Sequence, residues 1–107
     1  MDDRKPIVRR PRAAEDVESH AMYIAQDSID SALRFLVRAE ETINGLSAFS
    51  ESGAPFQSTV PELQGMRTKL IIDFPHHIVF YIERDSVIEV VRVLGGGQDM
   101  GVEVEKV

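Results

Sequence analysis

Three apolar-rich runs lie so close together in the last third of the chain that no helix fits between them. They are Met66–Phe74, Ile78–Arg84 and Val87–Leu94. Parallel neighbours need a crossover of a dozen or more residues, so runs this close must pair as an antiparallel meander. A cluster, Gly95-Gly96-Gly97, follows the third run and reads as a flexible or positive-φ turn that redirects the chain. What precedes the meander reads as one strand and two helices, and that order constrains the fold more than any single residue does.

Ile7-Val8-Arg9, after Pro6, has the make-up of a short first strand. Pro11 suits the first turn of a helix, where its missing N–H costs nothing. Ala14, Val17, Ala21 and Ile24 then recur at helical spacing. Glu15, Asp16 and Glu18 sit near that helix's start, where the dipole favours negative charge. The helix should stop near Gln26-Asp27, with Asp27 or Ser28 capping the next. Ile29, Ala32, Leu36, Ala39, Ile43 and Leu46 mark a second, longer helix, with Leu33 widening its stripe and an end near Gly45–Ser47. So short a connection makes the pair an antiparallel hairpin. Ser50–Pro61 is rich in breakers and reads as a loop, and Met100–Val107 as an edge strand or a frayed tail. The expected fold is α+β: a short N-terminal strand, then an antiparallel helical hairpin packed on one face of a small antiparallel sheet, as one domain over residues 1–107.

The meander has apolar residues on both sides. Met66, Leu70, Ile72 and Phe74 alternate with Arg67, Lys69 and Ile71. Ile78, Phe80 and Ile82 oppose Val79 and Tyr81, and Val87, Val91 and Val93 oppose Ile88, Val90, Arg92 and Leu94. One hairpin shields one side of a sheet. The expectation is therefore that the other side is left to dock a second polypeptide, unless the Ser50–Pro61 loop and the tail cover it.

Length and composition narrow the classes. A chain of 107 residues builds one core and has little room for a deep cavity. With no cysteine, disulfides and thiolate chemistry are excluded, and the cytoplasm is the default location. No apolar run approaches the roughly 20 residues needed to span a bilayer, and Met1–Pro6 lacks the apolar core of a signal peptide, so a complete cytoplasmic protein is expected. The net charge of −6 argues against general or sequence-specific nucleic-acid binding. Residues 13–47 carry seven acids against two bases, whereas residues 66–94 carry four of each. The acidity thus lies on the helices. Arg4, Lys5, Arg9, Arg10 and Arg12 form a small basic patch before them.

Candidate chemistry is sparse. Arg67 and Lys69 share a strand face, and if Arg92 joins them three cations converge, suiting a carboxylate or phosphate. His76 and His77 could titrate near neutrality but fall in the turn expected after Pro75. His20 falls outside the apolar stripe and should be exposed. Tyr81 could donate a proton, although a strand tyrosine more often packs. No histidines and carboxylates have metal-ligand spacing, and no cofactor is implied. The glycine cluster lacks the Lys-Ser/Thr ending and following helix of a phosphate loop, and Ser50, Ser52 and Ser58 lie in no nucleophile elbow.

Several segments, in this order, resemble the RelE/ParE superfamily of bacterial type II toxins. They are Arg10-Pro11-Arg12-Ala13-Ala14-Glu15-Asp16-Val17, Tyr23-Ile24-Ala25, Ala32-Leu33-Arg34-Phe35, Gly65-Met66-Arg67, His77-Ile78-Val79-Phe80-Tyr81 and Val91-Arg92-Val93-Leu94-Gly95-Gly96-Gly97-Gln98-Asp99. The resemblance spans roughly residues 6–99, and its helical part is nearest the ParE branch. It implies a toxin held inactive in a hetero-oligomer with a cognate, ParD-like antitoxin. The antitoxin's C-terminal segment wraps such toxins, with a helix on the hairpin and an extended part against the sheet. ParE-branch toxins bind DNA gyrase and stabilise cleaved DNA without chemistry of their own. RelE-branch toxins instead cut mRNA on the ribosome with basic residues plus a tyrosine or histidine near the C-terminus.

This chain departs from the family pattern at Gly95, where many members carry histidine. After Arg92 it has no arginine, histidine or tyrosine, only Lys106 as a base. The resemblance therefore favours a non-enzymatic gyrase inhibitor. The alternatives are a ribosome-dependent endoribonuclease using Arg67, Lys69 and Arg92 with His76 or His77, and a detoxified antitoxin-binding homologue. Arg67, Lys69, Tyr81 and Arg92 are the expected partner contacts, and Arg67→Ala is expected to weaken antitoxin binding by about 1–3 kcal/mol.

Overall fold

The computed structural model describes residues 4–98 and 100–104. Strand β1 (Ile7–Arg9) leads through Arg10 into helix α1 (Pro11–Ala25), with Pro11 at its first position. Helix α2 (Ile29–Gly45) opens on Ser28, whose Oγ accepts the Ser31 N–H at 3.1 Å. A two-residue strand β2 (Ala54–Pro55) lies within the segment expected to be loop, and a single 3₁₀ turn (Pro61–Leu63) begins at its last residue. The meander is β3 (Arg67–Ile71), β4 (Phe74–Glu83) and β5 (Ile88–Gly95), and the chain then forms a short helix α3 (Met100–Val104). The sheet order is β1-β5-β4-β3-β2, antiparallel throughout except that β1 runs parallel to β5. The crossover that parallel pairing requires contains the hairpin and the first two meander strands.

The meander turns earlier than the sequence suggests. Ile72 and Asp73 form the β3–β4 turn, with Asp73 at a φ of 66°, so Phe74 opens β4 and His76 and His77 lie in a strand. Ile71 pairs with Phe74 but Leu70 with Ile78, so Pro75–His77 bulge out of the ladder, where a proline's missing donor does no harm. A second irregularity sits on β5: Tyr81 pairs with Val90 but Phe80 with Arg92. This breaks the expected alternation, so that Ile88, Val90 and Val93 face the hairpin while Val91 and Leu94 face the other way. The glycine cluster is also ordinary in conformation. Gly65, at φ 85°, is the positive-φ glycine among the described residues. Gly96 instead extends the ladder, donating its N–H to the His76 carbonyl at 2.6 Å.

Two cores result. One joins Ala13, Ala21, Phe35, Ala39, Ile43 and Leu46 of the hairpin region to Val79, Tyr81, Val90 and Val93 of the sheet. The other fills the opposite face with Leu63, Met66, Phe80, Ile82, Val91, Leu94 and Val104, flanked by Phe56, Val60, Ile78 and Met100. The expectation that this face stands open for a second polypeptide is thus overturned. The segment around the 3₁₀ turn and α3 cover it with the chain's own side chains. The tail is helical over Met100–Val104 rather than an edge strand, and residues 105–107 lie outside the described ones. No helix among the described residues is long and apolar enough to cross a membrane.

Candidate partner-binding site

The cations singled out by sequence do not converge. Arg67 and Lys69 share the hairpin side of β3, opposite Tyr81 and Val79. Arg67 Nη1 donates to the Gly53 carbonyl at 2.8 Å, and Lys69 Nζ to Ser52 Oγ at 3.1 Å. The buried Tyr81 hydroxyl donates to the Ser50 carbonyl at 2.7 Å and accepts the Gly53 N–H at 2.9 Å. All three side chains therefore hold down residues 50–53. Burial pushes the Tyr81 phenol above its ordinary value, so it stays a neutral donor.

Arg92 lies elsewhere. It is 2% exposed, and its guanidinium grips the Asp16 carboxylate through two bonds of 2.7 and 2.9 Å. Nη1 donates to the Glu103 carbonyl at 2.8 Å, tying α3 to the sheet. Chiefly the hydrogen bonds that Arg92 donates to Asp16 hold its pKa above the ordinary value. Tyr81 and Arg92, expected as partner contacts, are thus buried and bonded within the fold, as a buried polar group must be.

His20 is likewise not an exposed surface residue. β1 pairs with β5 only as far as Val90, which leaves the later edge of β5 open. Helix α1 lies along that edge, and Asp16 and His20, one turn apart, take the place of a strand. Asp16 Oδ2 accepts the Val93 N–H at 2.9 Å, and His20 Nε2 lies 2.8 Å from the Val93 carbonyl. A carbonyl only accepts, so His20 Nε2 carries the hydrogen in that bond. The His20 ring meets His77 edge-on at 4.8 Å, and His77 in turn meets Phe35 at 4.9 Å. His77 Nδ1 is buried without a partner, and burial, followed by His20 and His76, pushes the imidazole pKa down. His76 is exposed on the bulge. The edge-capping role of Asp16 and His20 is not legible in the sequence, since its signal is an edge gap visible only in three dimensions. Among the described residues, no group of three or more His, Asp or Glu side chains is placed to hold a metal ion.

Most of the exposed large apolar side chains lie on the hairpin, with Val8, Phe49, Leu70 and Ile72 exposed elsewhere. Ile29, Leu33, Leu36 and Val37 recur at positions i, i+4, i+7 and i+8, one flank of α2, and Ile29, Leu33 and Val37 are 69, 58 and 54% exposed. Met22 and Tyr23 are exposed near the end of α1. Of the stripe expected for α2, Ala32, Ala39, Ile43 and Leu46 are buried, but its other members are not. Phe35, absent from it, is fully buried, while Ile29, Leu33 and Leu36 face solvent. A shallow groove of about 180 Å³ lies beside this surface, between the end of α2 and β3, lined by Thr42, Leu46, Phe49, Lys69 and Ile72.

Two helices packed on a five-stranded, mostly antiparallel sheet that begins with a short N-terminal strand make an α+β fold consistent with the RelE/ParE class. A family model described as the ParE toxin of the type II toxin-antitoxin system parDE matches residues 7–100, and the chain belongs to that family. Its fold is similar to a solved chain of the chromosomal ParDE toxin-antitoxin system from P. aeruginosa. The TM-score is 0.68 at 20% identity, over 85% of this chain and 95% of that one. No curated protein matches the sequence significantly.

Proposed function

We propose that this ParE-family chain is a cytoplasmic toxin that inhibits DNA gyrase by binding it, and that a ParD-like antitoxin neutralises it by covering the hairpin. The observation that carries this reading is the division of labour among its side chains. Arg92, which a nuclease would present to RNA, and Tyr81 both spend their polar atoms inside the fold. The α2 flank, which has no use inside the fold, stays exposed. An apolar strip of this kind on a small domain is a surface made for another chain. Arg67 and Lys69, both half-buried on β3 and the second lining the groove, keep a place as secondary antitoxin contacts.

Supercoiling by purified gyrase should fall when the chain is added and recover when the small protein encoded beside it is supplied. Unchanged supercoiling together with mRNA cut at ribosomes would transfer the chain to the nuclease branch. Tight antitoxin binding with neither activity would make it a detoxified homologue.

A further inference from the structure

Where α1 ends and α2 begins, apolar and acidic side chains are interleaved on the surface. Met22, Tyr23, Ile29 and Leu33 are each more than half exposed. Glu18 lies one turn before Met22, Asp27 one turn after Tyr23, and Asp30 directly after Ile29, and all three acids are exposed. Three other hairpin acids are neutralised, Asp16 by Arg92, Glu40 by Arg9 at 2.6 Å and Glu41 by Arg38 at 2.9 Å, and Glu15 is exposed near the start of α1, away from the tip. Glu18, Asp27 and Asp30 make no ion pair with a described residue. Of the nearby bases, Arg34 lies over the Phe74 ring at 6.0 Å, and Arg12 is at the far end of α1. The hairpin tip is thus an apolar centre with a negative rim.

We propose that the segment docking on this tip is an amphipathic helix whose apolar stripe is flanked by lysine or arginine. The inference rests on the hairpin being the antitoxin surface, and it adds the sign of charge that the antitoxin must carry there. Apolar burial supplies most of the attraction, while rim charges set encounter rate and partner choice. A helix with acidic flanks would bring like charges together as it docked. A second copy of this chain fits poorly for the same reason, since a two-fold contact through this patch sets one acidic rim against another.

The test uses three synthetic helical peptides and fluorescence anisotropy with the full chain. Two share one leucine stripe and differ only in flanks, all lysine or all glutamate. The third has the lysine composition scrambled so that no stripe forms. The lysine-flanked peptide should bind about tenfold or more tightly than the glutamate-flanked one at about 50 mM salt, and the gap should close at about 500 mM. Combining Glu18→Lys, Asp27→Lys and Asp30→Lys should reverse the preference, and Leu33→Asp should abolish binding of both, with circular dichroism confirming each fold. Equal affinities, an unreversed order, or a scrambled peptide that binds as well as the striped one overturns the proposal. Salt dependence of the native chain tests it even if the triple variant does not fold. The same series with the small protein encoded beside the chain separates the two layers. Indifference to Leu33→Asp sinks the hairpin surface itself, whereas loss with Leu33→Asp but indifference to salt and charge reversal sinks only the basic flanks.

Discussion

Arg92 shows how one side chain can change meaning between sequence and structure. In the sequence it is the third cation of a possible anion site; in the fold it is a buried rivet joining α1, β5 and α3. Nothing local announces this, because its partner Asp16 is 76 residues away. A buried guanidinium that loses its carboxylate keeps its desolvation penalty, so Asp16→Ala should cost about 3–5 kcal/mol, read from urea denaturation. A loss near zero would mean that water reaches the pair. His77 makes a second expectation possible. Its pKa is pushed below 6.5 in the fold, so below that pH the unfolded chain takes up the proton more readily than the folded one. Its contribution is complete above pH 6.5 and is lost as the pH falls toward the depressed folded value. His77→Phe should flatten the stability profile over that window, and an unaltered slope would show that the imidazole is not the group responsible. A further loss is expected in stronger acid, below the carboxylates' ordinary 4.5. There Glu40, Glu83 and Glu89, whose pKa values are lowered chiefly by hydrogen bonds from Arg9, Lys5 and Arg10, give up their ion pairs.

At the scale of elements, the parts governed by near neighbours were legible and those governed by distant ones were not. The limits of β1, α1 and α2 and the Ser28 cap follow from Pro11, apolar periodicity and a short hydroxyl, all local signals. Ser28→Ala should therefore cost about 1 kcal/mol, measurable as a lowered thermal midpoint. Strand faces were less legible, because the irregularities at Pro75–His77 and on β5 reverse the alternation partway along each strand. The middle segment misleads differently. Its glycine, prolines and serines look like free loop, yet Gly53 lies where a Cβ would meet Tyr81 Oη and come within 2.7 Å of the Thr68 carbonyl. Gly53→Ala should destabilise sharply. Tyr81→Phe, which orphans the Gly53 N–H and the Ser50 carbonyl, should cost about 1–3 kcal/mol. Full stability in both variants would show that residues 50–53 are not anchored to β4.

For the whole molecule, the sequence announced a sheet apolar on both sides and offered the Ser50–Pro61 loop and the tail only as an alternative cover for the second. Phe56, Val60, Leu63 and Val104 cover it, drawn from stretches too short and irregular to show periodicity. Val104→Asp should consequently loosen that core, with loss of stability and a rise in binding of an apolar dye, while a hairpin-directed peptide still binds. The order of the sheet carries one more consequence. β1 lies beside β5, the last strand made, and Ile7 is paired with Ile88. The Asp16 carboxylate and the Arg9–Val90 pairing wait on the same strand. A growing polypeptide still short of β5 has nowhere to seat its own beginning, and such distant closures are slow to form. Closure of the sheet is thereby postponed until β5 has been synthesised, and a product cut short before that strand is left without the neighbour that seats its first one.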